Sequence, residues 1–253
     1  MRWRFLDSGT LDGAEQMALD AGLMDRARLT GEAVLRVYDW QRPTLSFGRH
    51  ESVRGRFLPE MLARENVGAV RRPTGGRVLM HHREVTYSVT APAPSHERLR
   101  DSYRRINAIL MTAIARLGVH VGEAAAAAAR RPGGAACFAE PSEGELVVDG
   151  RKLVGSAQLR EHGALLQHGS ILIDDDQPRI AALAVGALVP AQPAATLHGA
   201  LGRAPAYTEV RNALAAALAE LEEEPAALGA QEAAAFGAPH RERFASAEWT
   251  WRR

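Results

Sequence analysis

The chain has 253 residues, with 31 Lys and Arg against 30 Asp and Glu, and a single cysteine. A net charge of +1 gives no nucleic-acid footprint, and one cysteine excludes an internal disulfide. No apolar run approaches the ~18 residues of a membrane span, and MRWRFLDSGTLDG has no stretch of signal-peptide length, so the expectation is a soluble cytoplasmic protein.

Residues 1–9 read as a short strand and turn. Asp12-Gly13-Ala14-Glu15 is a helix-start pattern, with Asp12 as N-cap and Glu15 reaching back. Ala14, Met17, Ala18, Ala21 and Met24 keep helical spacing, so that stripe packs inward. VLRVYDW and TLSFG then read as two strands around Gln41-Arg42-Pro43. Residues 49–65 predict a helix with irregular entry and Pro59 in its first turn.

Residues 70–89 read as a short strand, the turn Arg71-Arg72-Pro73-Thr74-Gly75-Gly76-Arg77, a strand over 78–80, a turn near His82-Arg83, and a strand over 85–89. Gly75 and Gly76 reach backbone conformations closed to other residues, and their amides can lie against a carboxylate, carbonyl or phosphate. A Gly-Gly pair is also an ordinary hairpin turn. It is not a P-loop, which needs a Gly-Lys-Ser/Thr ending. His81, His82 and Glu84 lack the helical register and companion cysteines of a zinc site, so no metal is expected. Arg71, Arg72 and Arg77, with Arg130 and Arg131, would form a basic rim suited to an acidic partner or a phosphate.

Residues 101–117 give the clearest helix, with Tyr103, Ile106, Leu110, Ala113, Ile114 and Leu117 as its stripe and Gly118 closing it. Alanines 124–129 favour helix, but Arg130-Arg131-Pro132-Gly133-Gly134 breaks it, giving a loop that delivers Cys137. Asp149-Gly150 between two apolar runs is a strong hairpin signal. On the second strand Lys152, Val154, Ser156 and Gln158 share one face, and Gly155 and Ala157 leave room for a ligand. Lys152 is the only lysine in an arginine-rich chain. Arginine holds its charge, whereas a lysine can lose its proton when partly buried and bias a nearby thiol toward thiolate. Cys137 and Lys152 are therefore read as a nucleophile and its activator. The alternatives are a small buried thiol and a solvated surface charge.

Residues 164–173 predict a further strand, and Asp174-Asp175-Asp176 a helix cap before Pro178. Thr208 is expected to cap a helix carrying Val210, Leu214, Leu218 and Leu221, and a second helix follows over 230–236. The tail SAEWTWRR is expected to pack back on the body.

At this point the motifs form a pattern. SGTLDGAEQMALDAGLM, VLRVYDWQRPTLSFGRH, VRRPTGGRVLMHHREVTYSV, ELVVDGRKLVGSAQLR and LQHGSILID, in this order, resemble the lipoate–protein ligase A and octanoyltransferase family of the biotin/lipoate ligase superfamily. They look like its opening helix, first hairpin, acyl-binding loop, lysine-bearing segment and following strand. The resemblance implies an α+β fold, a mixed, largely antiparallel sheet flanked by helices. It implies one catalytic domain over 1–253, with about 180–253 as a small helical cap.

It also implies chemistry. The family's ATP-dependent ligases usually carry a third glycine after the Gly-Gly pair and an Asn-Asp pair before the hairpin. Here Arg77 follows the glycines, Cys137-Phe138 and Pro141-Ser142 stand near the expected Asn-Asp, and His82 replaces an acidic residue. That pattern looks like the cysteine-dependent octanoyltransferases, which need no cofactor. Octanoyl-acyl carrier protein would be the donor, and the glycine cleavage H protein or another lipoyl domain the acceptor. Cys137 and Lys152 would be catalytic, and Arg72, Thr74, Gly75, Gly76, His81, Gly155, Ser156 and Ala157 would shape the acyl site. A monomer is expected, with neither nucleic acid nor membrane as partner. The alternatives are an ATP-dependent ligase, an amidotransferase moving octanoyl between lipoyl domains, and a non-catalytic binder on the same fold.

Overall fold

The computed structural model describes residues 1–124, 144–186, 188, 192–222 and 225–253. β1 (Trp3–Leu11) leads into α1 (Gly13–Thr30), which returns the chain to β2 (Ala33–Trp40), parallel to β1. α1 begins as the sequence predicts: Asp12 accepts the Glu15 N–H at 2.8 Å, and Glu15 accepts the Asp12 N–H. β3 (Thr44–Phe47), α2 (Pro59–Arg64), β4 (Gly68–Arg71), β5 (Leu79–His81) and β6 (Glu84–Pro92) follow. Next come α3 (Leu99–Arg116), β7 (Gly122–Glu123), β8 (Leu146–Val148), β9 (Arg151–Glu161) and β10 (Ala164–Leu172). The remainder is α4 (Arg179–Ala182), α5 (Leu197–Leu201), α6 (Tyr207–Leu221), β11 (Ala226–Ala227), α7 (Ala230–Gly237), α8 (Arg241–Ala245) and α9 (Ala247–Thr250).

Among the described residues, eight strands form one sheet in the order β11-β1-β2-β6-β10-β9-β8-β7, and three form a second, β4-β3-β5. In the large sheet only the β11–β1 and β1–β2 pairings are parallel. The fold is therefore α+β with a mixed, largely antiparallel sheet flanked by helices.

The sequence reading fails in one respect that shapes the site. β2 and β3 do not pair as a hairpin: β2 lies between β1 and β6, whereas β3 lies between β4 and β5 in the small sheet. β5 and β6 part in the same way at His82-Arg83. Alternation marks a strand without naming its partner, and β2 and β3 are almost wholly buried. The Arg71–Arg77 turn thus belongs to the small sheet and passes over the end of β3.

β2 shows how both faces of the large sheet are covered. Ala33, Leu35 and Val37 share a cluster with Val89, Ile106, Leu110, Ile114, Leu214 and Leu218, so α3 and α6 cover that face. Val34 packs with Leu19 and Leu23 of α1, and Tyr38 with Met17. α1 is itself covered by α7 and α8, and Gly22 permits the contact: a Cβ there would lie 2.1 Å from Phe236 O. A helix buried on two sides needs no single apolar stripe, and Gln16, Asp20 and Arg26 are buried along with Met17, Ala18 and Met24.

Two predicted caps are corrected. Asp174 pairs with Arg83, Asp176 with His82, and Asp175 accepts the Gln177 and Ala194 N–H groups, so the acidic run ties loops together; α4 has Pro178 at its N-cap and no side-chain cap. α6 starts at Ala206, whose N–H goes to Glu209 at 2.8 Å, and Thr208 lies within the helix. The tail does pack back: Trp249 Nε1 donates to Arg71 O at 2.8 Å, and the Val53 and Arg54 N–H groups donate to Arg253 O. Among the described residues no helix is long and apolar enough to cross a membrane.

Candidate active site

The Arg71–Arg77 turn is held from below by its own two arginines. Arg71 donates to Gly48 O at 2.6 Å, Glu51 O at 2.9 Å and Thr250 O at 3.0 Å. Arg72 donates to Ser46 O at 2.8 Å, Gly75 O at 2.9 Å and Arg77 O at 2.7 Å. A planar fork of five donors suits such multiple grips. Both side chains are buried, which removes these two from the expected basic rim; Arg77 is half-buried, and Arg130 and Arg131 lie outside the described residues. Surface charge beside the turn comes from Arg49, Arg243 and Arg252 instead. The Arg243 and Arg252 guanidiniums each lie 3.8 Å from the Trp249 ring centroid, and Arg252 donates to Arg49 O. Burial, then neighbouring guanidiniums, hold both below the usual arginine range.

Glycine is required at two places here. Gly76 has φ +93°, in the region that penalises a side chain. At Gly48 a Cβ would sit 1.9 Å from Gly76 O, so the end of β3 and the turn touch backbone to backbone. Gly48 escaped the sequence reading because nothing local marks it; the contact spans β3 and the turn.

Beneath the turn runs a row of polar side chains that the sequence did not suggest. The sheet register places Arg36 opposite Ser88, and Ser88 opposite His168, across β2, β6 and β10. Asp20 of α1 bonds all three: Oδ1 to Arg36 Nη1 and Ser88 Oγ, both at 2.7 Å, and Oδ2 to His168 Nδ1 at 2.9 Å. Gln16 also takes the Arg36 guanidinium, through its carbonyl and its side chain. Burial works against the Asp20 charge, but Arg36 and the His168 hydrogen bond outweigh it and hold the carboxyl below its ordinary range. Burial, opposed by Asp20, holds His168 below the ordinary imidazole value. One carboxylate, one guanidinium and a neutral imidazole balance. His168 Nε2 then lies 2.6 Å from Thr74 Oγ1 in the turn.

His81, at the end of β5, is set in the same manner. Its Nδ1 lies 2.6 Å from Glu84 Oε1 and its Nε2 2.7 Å from Ser46 Oγ, and its ring stacks on Trp40 at 4.0 Å between centroids. His82 turns to Asp176, so His81, His82 and Glu84 do not converge.

The predicted hairpin is present. Asp149 and Gly150 both take positive φ, +49° and +72°, as a two-residue turn of this type demands. Lys152 is 3% exposed, with Nζ 2.7 Å from Glu145 Oε1, so it is not a solvated surface charge. Further along β9, Gly155, Ser156 and Ala157 reach a partly open pocket, lined also by Arg72, His81, His168, Gly169, Met17 and Leu79. Tyr87 donates to or accepts from Ser156 Oγ at 2.7 Å; burial pushes its phenol up to about 12, so it stays neutral. The pocket thus gathers Arg72, His81, Gly155, Ser156 and Ala157. Thr74 joins it through His168. Gly75, Gly76 and Lys152 are not in its lining, and Cys137 lies outside the described residues.

Residues 12–219 match the lipoyl protein ligase A/B catalytic domain, and the chain belongs to that family. Within it, the chain is 39% identical over 241 residues to the octanoyltransferase LipM of Symbiobacterium thermophilum, covering 86% of this chain and 85% of that protein. It is likewise 39% identical over 188 residues to the octanoyltransferase LipM of Halalkalibacterium halodurans, covering 70% and 68% of the two chains. A crystal structure of lipoate-protein ligase A bound with ATP superposes with a TM-score of 0.82 over 99% of each chain at 16% identity, which supports the fold alone.

Proposed function

We propose that this acyltransferase moves an octanoyl group from octanoyl-acyl carrier protein to a lysine of a lipoyl domain, such as the glycine cleavage H protein, with Cys137 carrying the group as a thioester. The Cys137 thiol gives up its proton and its sulfur attacks the donor carbonyl carbon; the carrier thiolate leaves and takes up that proton. The acceptor lysine amine then attacks the acyl-cysteine, and the displaced Cys137 thiolate takes the proton the amine loses, leaving an amide and a free thiol. Both donor bonds are thioesters, so no nucleotide is consumed. Similarity to the octanoyltransferases LipM supports this reading.

The observation that carries the residue assignment is Lys152. The chain's only lysine is buried on the strand that continues into the pocket wall at Gly155–Ala157, and a carboxylate sits 2.7 Å from it. A buried ammonium beside a thiol favours thiolate and can donate toward the carbonyl oxygen as charge develops there. Gly75 and Gly76 serve the carbonyl end, and Gly155 and Ala157 leave width for the acyl chain. The Arg49–Arg243–Arg252 surface suits an acidic carrier face.

The test is an acyl-transfer assay with the purified chain and three donors: octanoyl-acyl carrier protein, octanoylated H protein, and free octanoate plus ATP. Transfer from the first without nucleotide, abolished by Cys137→Ser, is expected. Transfer from octanoylated H protein alone would make the chain an amidotransferase. Transfer only from free acid with ATP would make it a ligase and overturn the proposal.

A further inference from the structure

The row under the turn ends on the residue that precedes the two glycines. Its hydrogen bonds have a direction, set at the far end. Arg36 holds Asp20 as a carboxylate, which only accepts, so His168 donates from Nδ1. Nε2 of that tautomer is an acceptor, and the Thr74 hydroxyl therefore donates to it across 2.6 Å. Thr74 is fully buried. The carbonyls of the turn are gripped separately: Thr74 O takes the Arg49 N–H at 2.7 Å, and Gly75 O and Arg77 O take Arg72. With Thr74 O, Gly75 O, Arg77 O and the Thr74 side chain tied to the protein, the N–H groups of Gly75 and Gly76 are the donors the turn can present to a ligand.

We propose that Asp20 and His168 are positioning residues for acyl transfer, fixing the Thr74-Gly75-Gly76 turn through the Thr74 hydroxyl so that its amide N–H groups meet the acyl carbonyl oxygen. Negative charge grows on that oxygen as the carbonyl becomes tetrahedral, and fixed backbone donors stabilise it without reorganising. His168 gives and takes no proton in this step; it acts only through Thr74. The assignment rests on the reading of the pocket as the acyl site.

Acid reverses the bond at the turn. A protonated Nε2 becomes a donor, and the Thr74 hydroxyl oxygen accepts from it once its own hydrogen has rotated aside. The groups acting on His168 are Asp20 from α1, Arg72 from the turn and His81 from β5, with Arg36 and Tyr38 of β2 bonded to Asp20; Asp20 favours the imidazolium, and Arg72 and His81 oppose it.

Four single variants and one double variant, with Cys137→Ser as a control, test the inference. Thr74→Val keeps the shape and removes the hydroxyl; Thr74→Ser restores it. His168→Asn keeps an amide near Nδ1 but loses the reach of Nε2, whereas His168→Gln carries an acceptor toward Thr74. Cysteine acylation by octanoyl-acyl carrier protein is expected to slow about 10²-fold in kcat for Thr74→Val and His168→Asn, with KM little changed. The double variant Thr74→Val/His168→Asn should be no slower than either single one, and Thr74→Ser and His168→Gln should recover most of the rate. Hydrogen exchange at the Arg49 amide, whose N–H is held by Thr74 O, needs no activity and should quicken in Thr74→Val and His168→Asn and stay unchanged in Cys137→Ser. Multiplying effects in the double variant, or altered exchange without altered kcat, would overturn the positioning role. Unchanged exchange in His168→Asn would overturn the pin itself, even for a chain that showed no octanoyl transfer and so failed the functional reading.

Discussion

The β8–β9 hairpin and the polar row beneath the turn are both buried, both charged, and both beside the pocket, yet they are built differently. The hairpin is local: Glu145 and Lys152 are seven residues apart, and an Asp-Gly turn between them sets their pairing. The row is assembled from four elements, with Asp20 and His168 separated by 148 residues. In the hairpin one lysine faces one carboxylate. In the row the charge is neutralised internally, and what reaches the turn is a neutral acceptor. The hairpin suits chemistry on a reacting group, whereas the row suits holding one in place.

Exchanging charge type should separate the two most sharply. Lys152→Arg keeps the positive charge but not the compact, deprotonatable amine, so acyl transfer is expected to fall by about 10³-fold, with a cooperative melt retained. Full activity in that variant would remove the special role given to the only lysine. Asp20→Ala is the counterpart in the row. It strands a fully buried Arg36, and a loss of about 3–5 kcal/mol is expected from urea unfolding. A loss under ~1 kcal/mol would mean that the pair resembles a surface ion pair. Gly48→Ala pushes β3 against Gly76 O and should cost about 1–3 kcal/mol, with activity falling further than stability.

Smaller effects follow from protons and caps. Asp20 and His168 both have folded-state values below their ordinary ones. The unfolded chain therefore binds more protons, so the stability these groups give is complete above the ordinary values and is lost as pH falls through the folded ones. For His168 that loss begins near pH 6.5. Between pH 7 and pH 5 the urea midpoint of the wild type should fall more than that of His168→Gln. An equal fall would show that His168 adds nothing to the slope. Asp12→Ala, at the α1 cap, should cost about 1 kcal/mol wherever the row is intact.

The same contrast explains what could be read from the sequence. The α1 cap, the Asp149-Gly150 turn, the α3 stripe and the tail's return are local signals or short-range patterns, and they are found in place. Thr74 and His81 were legible through their motif, but their partners were not. Asp20 hides on a helix whose apolar residues suggested one inward stripe, and two-sided burial by the sheet and by α7 and α8 removes the periodicity that would have exposed it. Arg36 sits in an apolar strand with no mark of its partner. Arg71 and Arg72 look like a charged rim because carbonyl acceptors leave no trace in a sequence. The β2–β3 separation was missed because strand periodicity carries no pairing information.

The most direct measurement is intact-protein mass spectrometry of the chain mixed with octanoyl-acyl carrier protein in the absence of ATP. The expected result is one octanoyl adduct, located on Cys137, cleaved by hydroxylamine and discharged when an apo lipoyl domain is added. A chain that stays unmodified, yet acylates the lipoyl domain when given free octanoate and ATP, would contradict the cysteine mechanism.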